Sequence, residues 1–376
     1  MAEREFLRPR LRGARFKGGV IPLEVLRDLA VLEEMLIEVA KWKFLEANNG
    51  RRRAPRGFSD KVELKLVGIE DGSAIPVLAI AFAGAYLPNM DPMLPHFEAA
   101  RDAIVAAIGA AEQKATVVGY LPEKALAYFD RFGRSLRDGE SMEFQTPAHP
   151  AVARLTKESR RRLVLAAPSA QGLTEDVTQR GLIPEADQEA MTFHLLLSDG
   201  RKVKARMEGQ VTEAVLEAFN GFRSGVRVAV KGVGKFDRQN HLQSLESVEH
   251  VTVLDPLDVP ARLDELRTLT DGWLNGKGLA PRAAGLDWLA AAFEQHYPGD
   301  LALPRLFPTA EGGIQAEWSL STRELSLEID IQRRMAEWHS LDVQSGADAE
   351  RPLNLDCSED WQWLAGEIRR TPGGVA

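Results

Sequence analysis

The chain has 376 residues, 44% hydrophobic and 27% charged, with a net charge of −8. That is ordinary globular composition and room for two or three domains. There is no apolar run long enough to cross a membrane. Nor do the first ten residues form the apolar stretch of a secretory signal, so a cytoplasmic protein is expected. A single cysteine, Cys357, excludes an intramolecular disulfide and a cysteine-based zinc site.

The N-terminal segment is locally basic, with Arg8, Arg10, Arg12, Arg15 and Lys17. A helix is predicted from Ile21 to Leu45, with Pro22 in its first turn and Leu26, Leu29, Leu32, Leu36 and Val39 on one face. It stops at Asn48-Asn49-Gly50, and the triplet Arg51-Arg52-Arg53 follows. Two readings of these arginines stand: phosphate contacts, or a solvated arm followed by cations at a helix C-terminus. Val62–Val67 alternates as a half-buried strand, and a turn over Glu70-Asp71-Gly72-Ser73 leads to the apolar strand Ile75–Phe82. Helices are predicted at Phe97–Gln113 and Pro122–Phe132, and a returning strand at Glu140–Phe144.

Farther on, Thr192–Leu197, the Asp199-Gly200 turn and Lys202–Arg206 form a hairpin signature. A short helix at Val211–Phe219, a strand at Gly225–Gly232, a turn over Phe236–Asn240 and a strand at Leu245–Leu254 suit a small β-barrel of OB-like type. Beyond Pro256, helices are predicted at Val259–Leu269, Ala283–His296 and Trp361–Ile368. Strands are predicted at Gly313–Trp318 and Glu324–Asp330, with a third at Arg334–Trp338. Six of the seven tryptophans lie here, and residues 256–376 hold 11 Lys/Arg against 20 Asp/Glu, whereas residues 1–60 hold 13 against 9. Such asymmetry bears on partners more than on fold.

Catalytic patterns are sparse. Gly232-Val-Gly234 lacks the third glycine and the helix of a dinucleotide loop, and reads as a hairpin feature. Glu63-Leu-Lys65 echoes half of a metal-dependent nuclease core, but Asp60 lies too close in sequence to be its second ligand. The seven histidines never pair at helix or strand spacing, and Cys357 has no neighbour to activate it. In the strand Glu324–Asp330, Glu324, Glu328 and Asp330 share one face while Leu325, Leu327 and Ile329 take the other. That acidic face is either solvated or docks a basic partner. Trp273 is either a plug beside Gly272, Gly276 and Gly278 or an exposed anchor.

Asp271-Gly272-Trp273 with Gly276, Pro308-Thr309, Gly312-Gly313, Glu317-Trp318 and the strand Glu324–Asp330 together resemble the C-terminal module of an uncharacterised bacterial family. The middle part is similar to the β-barrel that often precedes that module, and the Gly72-Ser73 hairpin completes the arrangement, so the resemblance covers most of the chain. It implies small two-gene arrangements of toxin–antitoxin or defence type. The chain departs at Asn275 and Lys277, where acids are usual, which counts against a cation or basic partner held by those acids.

The expectation is therefore an α+β multidomain protein. Residues 1–145 would form an antiparallel sheet with helices, 146–256 the OB-like barrel, and 257–376 a Trp-rich acidic α+β module. Its expected function is non-enzymatic, an accessory or antitoxin-like protein that binds a partner protein through Trp273, Trp318, Glu324 and Glu328. No catalytic residue, cofactor or metal is expected, since no nucleophile–base pair or metal set assembles locally. The alternative is a nucleic-acid-binding regulator using Arg8, Arg10, Arg12, Arg51, Arg52 and Arg53 on phosphates.

Overall fold

A computed structural model describes residues 3–48, 50–56, 58, 62–70, 74–82, 93–168, 170, 172–321 and 323–375. Backbone contacts group the chain into two units, Met1–Val177 with Val233–Glu246, and Thr178–Gly232 with Ser247–Ala376. The fold is α+β with antiparallel sheets. No helix among the described residues is long and apolar enough to cross a membrane.

The first unit opens with β1 (Glu3–Leu7) and β2 (Arg10–Arg12), where the sequence suggested a solvated arm. α1 (Leu23–Ala47) follows, with Pro22 at its N-cap and the Asn48 side-chain amide donating to the Phe44 carbonyl at its end. β3 (Val62–Glu70) and β4 (Ile75–Phe82) form the expected hairpin, although its turn residues 71–73 lie outside the described residues. Then come α2 (Leu94–Glu112), α3 (Glu123–Leu126), β5 (Ser141–Thr146), β6 (His149–Leu155) and α4 (Lys157–Leu165). The helix predicted over Pro122–Phe132 is thus only α3 and a 3-10 turn, Ala127–Asp130. The strands form two three-stranded sheets, β1-β4-β3 and β2-β5-β6. One continuous core joins them to the helices through Leu32, Met35, Ile80, Phe97, Ile108, Phe129 and Leu163.

Buried polar groups in this unit are answered. Arg160 of α4 has 1% exposure, yet its guanidinium donates to the carbonyls of Phe129 (2.8 Å), Asp130 (2.6 Å) and Thr174 (2.6 Å). Such a buried cation is tolerated only with its hydrogen bonds made. Arg15 likewise bonds Glu140, Glu24 and the Ser135 carbonyl, pinning the N-terminal segment to the loop before β5.

β7 (Gly172–Asp187), β8 (Thr192–Leu196), β9 (Lys202–Arg206), α5 (Thr212–Asn220), β10 (Arg227–Asp237) and β11 (Leu242–Val253) come next. The strand order β10-β11-β9-β8-β7 closes on itself. The β10–β11 pair brings backbones close: a Cβ on Gly232 would stand 2.1 Å from the Ser247 carbonyl oxygen, so the Gly232-Val-Gly234 pair serves strand packing.

The last part of the chain carries α6 (Val259–Leu266), α7 (Ala283–His296), β12 (Arg305–Pro308), β13 (Ile314–Leu320), β14 (Arg323–Asp330), β15 (Met335–Asp342), β16 (Asp348–Asn354) and α8 (Ser358–Arg370). Its five strands run in sequential antiparallel order. Ile314, Ala316, Trp318, Leu325, Leu327, Ile329 and Trp338 cover one face, which joins Leu263, Leu289, Phe293, Trp361 and Leu364 of the helices in a single core. The opposite face carries the exposed Glu324, Glu328, Asp330, Met335 and Glu337, as alternation along each strand places them.

Candidate partner-docking surface

The strand register assembles the exposed face of the five-stranded sheet. Glu324 lies between Ser319 and Leu341, and Glu328 between Gln315 and Glu337. Glu317, Asp330, Asp348 and Glu350 belong to the same face, together with Arg305 and His339. Some acids are engaged: Glu317 accepts from Gln315 at 2.8 Å, Glu350 lies 3.3 Å from His339, and Asp330 accepts the N–H groups of Gln332 and Arg333. Among the described residues, Glu324, Glu328, Glu337 and Asp348 have no ion pair. Phe307, Met335 and Leu341 are exposed beside them. The face is therefore acidic, with apolar patches along its length.

The two motifs that the sequence keeps thirty residues apart meet at one end of this sheet. Asn275 and Gly276 (φ 49° and 80°) make the left-handed pair that a tight hairpin turn needs. Leu274 and Lys277 exchange backbone bonds across that turn. Asp271 accepts the Ala280 N–H at 2.9 Å, closing the loop. The loop is tied to the β12–β13 turn by the Leu279 N–H, which donates to the Ala310 carbonyl at 2.9 Å. In that turn Gly313 is forced: a Cβ there would stand 2.6 Å from the Ile329 carbonyl oxygen. Between this turn and the β14–β15 turn lies a cleft of about 420 Å³ lined by Thr309, Glu311, Gly313, Glu328, Asp330 and Arg333.

The tryptophans behave differently from the acids. Trp273 is half-buried, its Nε1 donates to the Leu279 carbonyl at 3.2 Å, and Gly278 lies under its ring. It plugs its own loop, while Leu274 and Leu279 are the exposed apolar groups there, at 43% and 55%. Trp318 needs correction as a contact residue. It is 2% exposed in the core, and its Nε1 donates to the Tyr297 hydroxyl at 3.2 Å and the Ala302 carbonyl at 3.0 Å. Burial pushes the Tyr297 hydroxyl up to about 12. The clue was present in sequence: Trp318 shares strand parity with Ile314 and Ala316.

The candidate phosphate-contact arginines divide. Arg8 is bonded to Glu70 and lies 3.5 Å from Glu5, and Arg12 donates to Glu143 at 3.2 Å. Arg51 sits 5.8 Å over the Phe44 ring. Arg10, Arg52 and Arg53 are exposed, and no contact among the described residues joins the Arg8–Arg12 group to the Arg51–Arg53 group.

Other candidate chemistry resolves locally. Glu63 and Lys65 lie 3.6 Å apart on an exposed strand, and Asp60 falls outside the described residues. Among the described residues no three His, Cys, Asp or Glu side chains converge as a metal set, and Cys357 is a free, half-buried thiol. Asp28 is a buried carboxyl that sequence reading passed over. It accepts the Ser135 hydroxyl at 2.6 Å and backbone N–H at 3.3 Å, and burial raises its pKa to about 6. Its place on the apolar face of α1, one residue before Leu29, was the available signal.

Comparison with protein-family models, with curated proteins and with solved structures gives no match.

Proposed function

We propose that this chain is a non-enzymatic accessory or antitoxin-like protein whose C-terminal acidic sheet face binds a basic partner protein. We read it as a three-part cytoplasmic protein, with residues 146–256 forming an OB-like barrel between the N-terminal domain and the docking module. One observation supports the reading above others. Glu324, Glu328 and Glu337 are exposed carboxylates on one sheet face with no ion pair among the described residues, and Glu328 stands directly across from Glu337. Like charges in direct cross-strand opposition destabilise a sheet, and a cationic partner relieves that cost on binding. The neighbouring apolar groups Met335 and Leu341, with Leu274 and Leu279 on the tied loop, supply the desolvated contact that charge alone does not.

The test is capture of partners by the tagged protein from its host at moderate salt after nuclease treatment. A stoichiometric basic protein held by the wild type and lost with Glu324→Lys/Glu328→Lys supports the reading. Retention of the same protein by that variant sinks it. Added salt should slow association more than it speeds release.

A further inference from the structure

The closed sheet carries a second charged face, of opposite sign. On β9, Lys202, Lys204 and Arg206 alternate with the buried Val203 and Ala205, so all three point outward. Alternate residues on a strand stand about 7 Å apart, a regular ladder of cations. Among the described residues none of the three has an ion pair. This is unlike the neighbouring basic residues, since Lys231 lies 4.0 Å from Glu249, Lys235 3.9 Å from Glu246, and Arg201 2.7 Å from Asp199.

Acids on the β8 side do not answer the ladder, and on its other side β9 adjoins β11, whose Glu246 and Glu249 lie beside Lys235 and Lys231. Across β8 and β7, Lys204 is in line with His194 and Glu185, and Arg206 with Thr192 and Asp187. Glu185 is engaged by His194 Nδ1 at 3.3 Å, and Asp187 accepts the N–H groups of Glu189 and Ala190. The third row, Lys202–Leu196–Leu182, is apolar beyond its lysine. Leu182 and Leu196 form part of the wall of a cavity of about 300 Å³ that also holds Ser198, Arg180 and Arg227. The ladder of cations thus ends beside an apolar-walled cavity furnished with two further guanidiniums. Arg180 lies 3.8 Å from Asp264, and Arg227 is bonded to Glu265, which leaves hydrogen-bonding edges of both signs at the cavity wall.

We propose that this face binds single-stranded nucleic acid, with successive phosphates on Lys202, Lys204 and Arg206 and one base in the cavity against Leu182 and Leu196. A regular row of point charges suits a backbone of regularly spaced phosphates. A duplex has its bases paired and cannot offer one to the cavity without unpairing it. Among the described residues of β7, β8 and β9 the His194 imidazole is the one ring on this face, and no Phe, Tyr or Trp is there to stack further bases, so binding is weak and tolerant of sequence. The inference is independent of the acidic docking face and stands or falls without it.

The experiment is fluorescence anisotropy of a short labelled oligothymidylate with the full-length protein. Three phosphate contacts at about 0.7 each give a slope near −2 when log affinity is plotted against log salt. Lys204→Glu/Arg206→Glu should lower affinity at least about tenfold and flatten the slope by more than half. Lys204→Gln/Arg206→Gln, which removes charge without adding any, guards against a folding defect. Leu196→Trp should fill the cavity, weakening binding while leaving the slope intact. Unchanged binding in both double variants, or loss only with Arg10→Ala, overturns the proposal. So does competition by duplex or by polyglutamate as effective as that by the unlabelled oligothymidylate, the polyglutamate result meaning that the face takes acidic protein instead.

Discussion

Glu328 on β14 and Glu337 on β15 occupy directly opposed positions of an antiparallel pair, both exposed and neither paired with a cation among the described residues. Two like charges in that relationship repel, and the sheet holds them together only because Leu327, Ile329, Ala336 and Trp338 are buried on the other side. Glu337→Lys should turn the repulsion into a cross-strand ion pair. It is expected to stabilise the module by about 0.5 kcal/mol while weakening capture of a basic partner. Urea midpoints and capture yield measured on one preparation test this, because the two should move in opposite directions. A variant both less stable and weaker in capture would assign Glu337 a structural role.

Trp318 calls for a different kind of variant. Replacing it with alanine removes a buried ring and the indole N–H that the Tyr297 hydroxyl and the Ala302 carbonyl accept, the carbonyl keeping only the bond from the Tyr297 hydroxyl. The expected loss is about 3–5 kcal/mol. Any loss of partner binding in Trp318→Ala should therefore track unfolding. Urea denaturation followed by the tryptophan signal decides it: full stability with lost capture would place the ring at the interface.

Gly278 should resist substitution. Its φ is 85°, and a Cβ would lie 3.0 Å from Trp273 Nε1. Gly278→Ala is expected to cost about 1–2 kcal/mol from the left-handed backbone alone, with displacement of the indole in addition. Faster amide exchange at Gly272 and Leu274, with the sheet amides unchanged, is the expected readout. Unchanged exchange would show that the loop does not depend on the Trp273 plug.

Asp28 makes stability depend on pH in a defined window. Burial raises its folded pKa from an ordinary 3.8 to about 6, against the lowering effect of the Ser135 bonds and of Arg160. The folded state therefore holds the proton more tightly than the unfolded chain. This contribution is fully present below about pH 4 and is lost as pH rises through about 6. At one pKa unit per about 1.4 kcal/mol, ionised Asp28 costs roughly 2–3 kcal/mol at neutral pH. Asp28→Asn should keep the bond from the Ser135 hydroxyl and flatten the pH dependence of the urea midpoint between about 4 and 6. Wild type and variant with the same slope in that window would show that another group carries it.

Local periodicity made much of the chain legible. The 3.6-residue spacing of Leu29, Leu32, Leu36 and Val39 places α1 within two residues of its observed ends. The Asp199-Gly200 turn marks β8 and β9, and period-two alternation puts Glu324, Glu328 and Asp330 on the exposed face of β14. These features depend only on neighbours in sequence. β7 does not: its sixteen residues include Gly181 and Pro184 and carry no strand prediction from the sequence, yet they form a strand. Pro184 is tolerated because the register with β8 shifts between Leu182 and Glu185, where the ladder makes no demand on its missing N–H. α4 was hidden in the same way by Arg160-Arg161-Arg162, of which only Arg160 turns inward.

The sequence by itself determined which segments alternate, which turn, and which strand face is acidic, because backbone sterics and side-chain period act over a few residues. Only the tertiary structure decided that residues 3–12 become strands against β4 and β5, that Trp318 is spent in the core, and that the Asp271–Ala280 loop is tied to the turn at Thr309. It alone decided which charges are left without partners, since Arg8 and Arg12 find their carboxylates about 60 and 130 residues away. Pairing of that kind is a property of distance in space, and loop closure sets it without leaving a local trace in the chain.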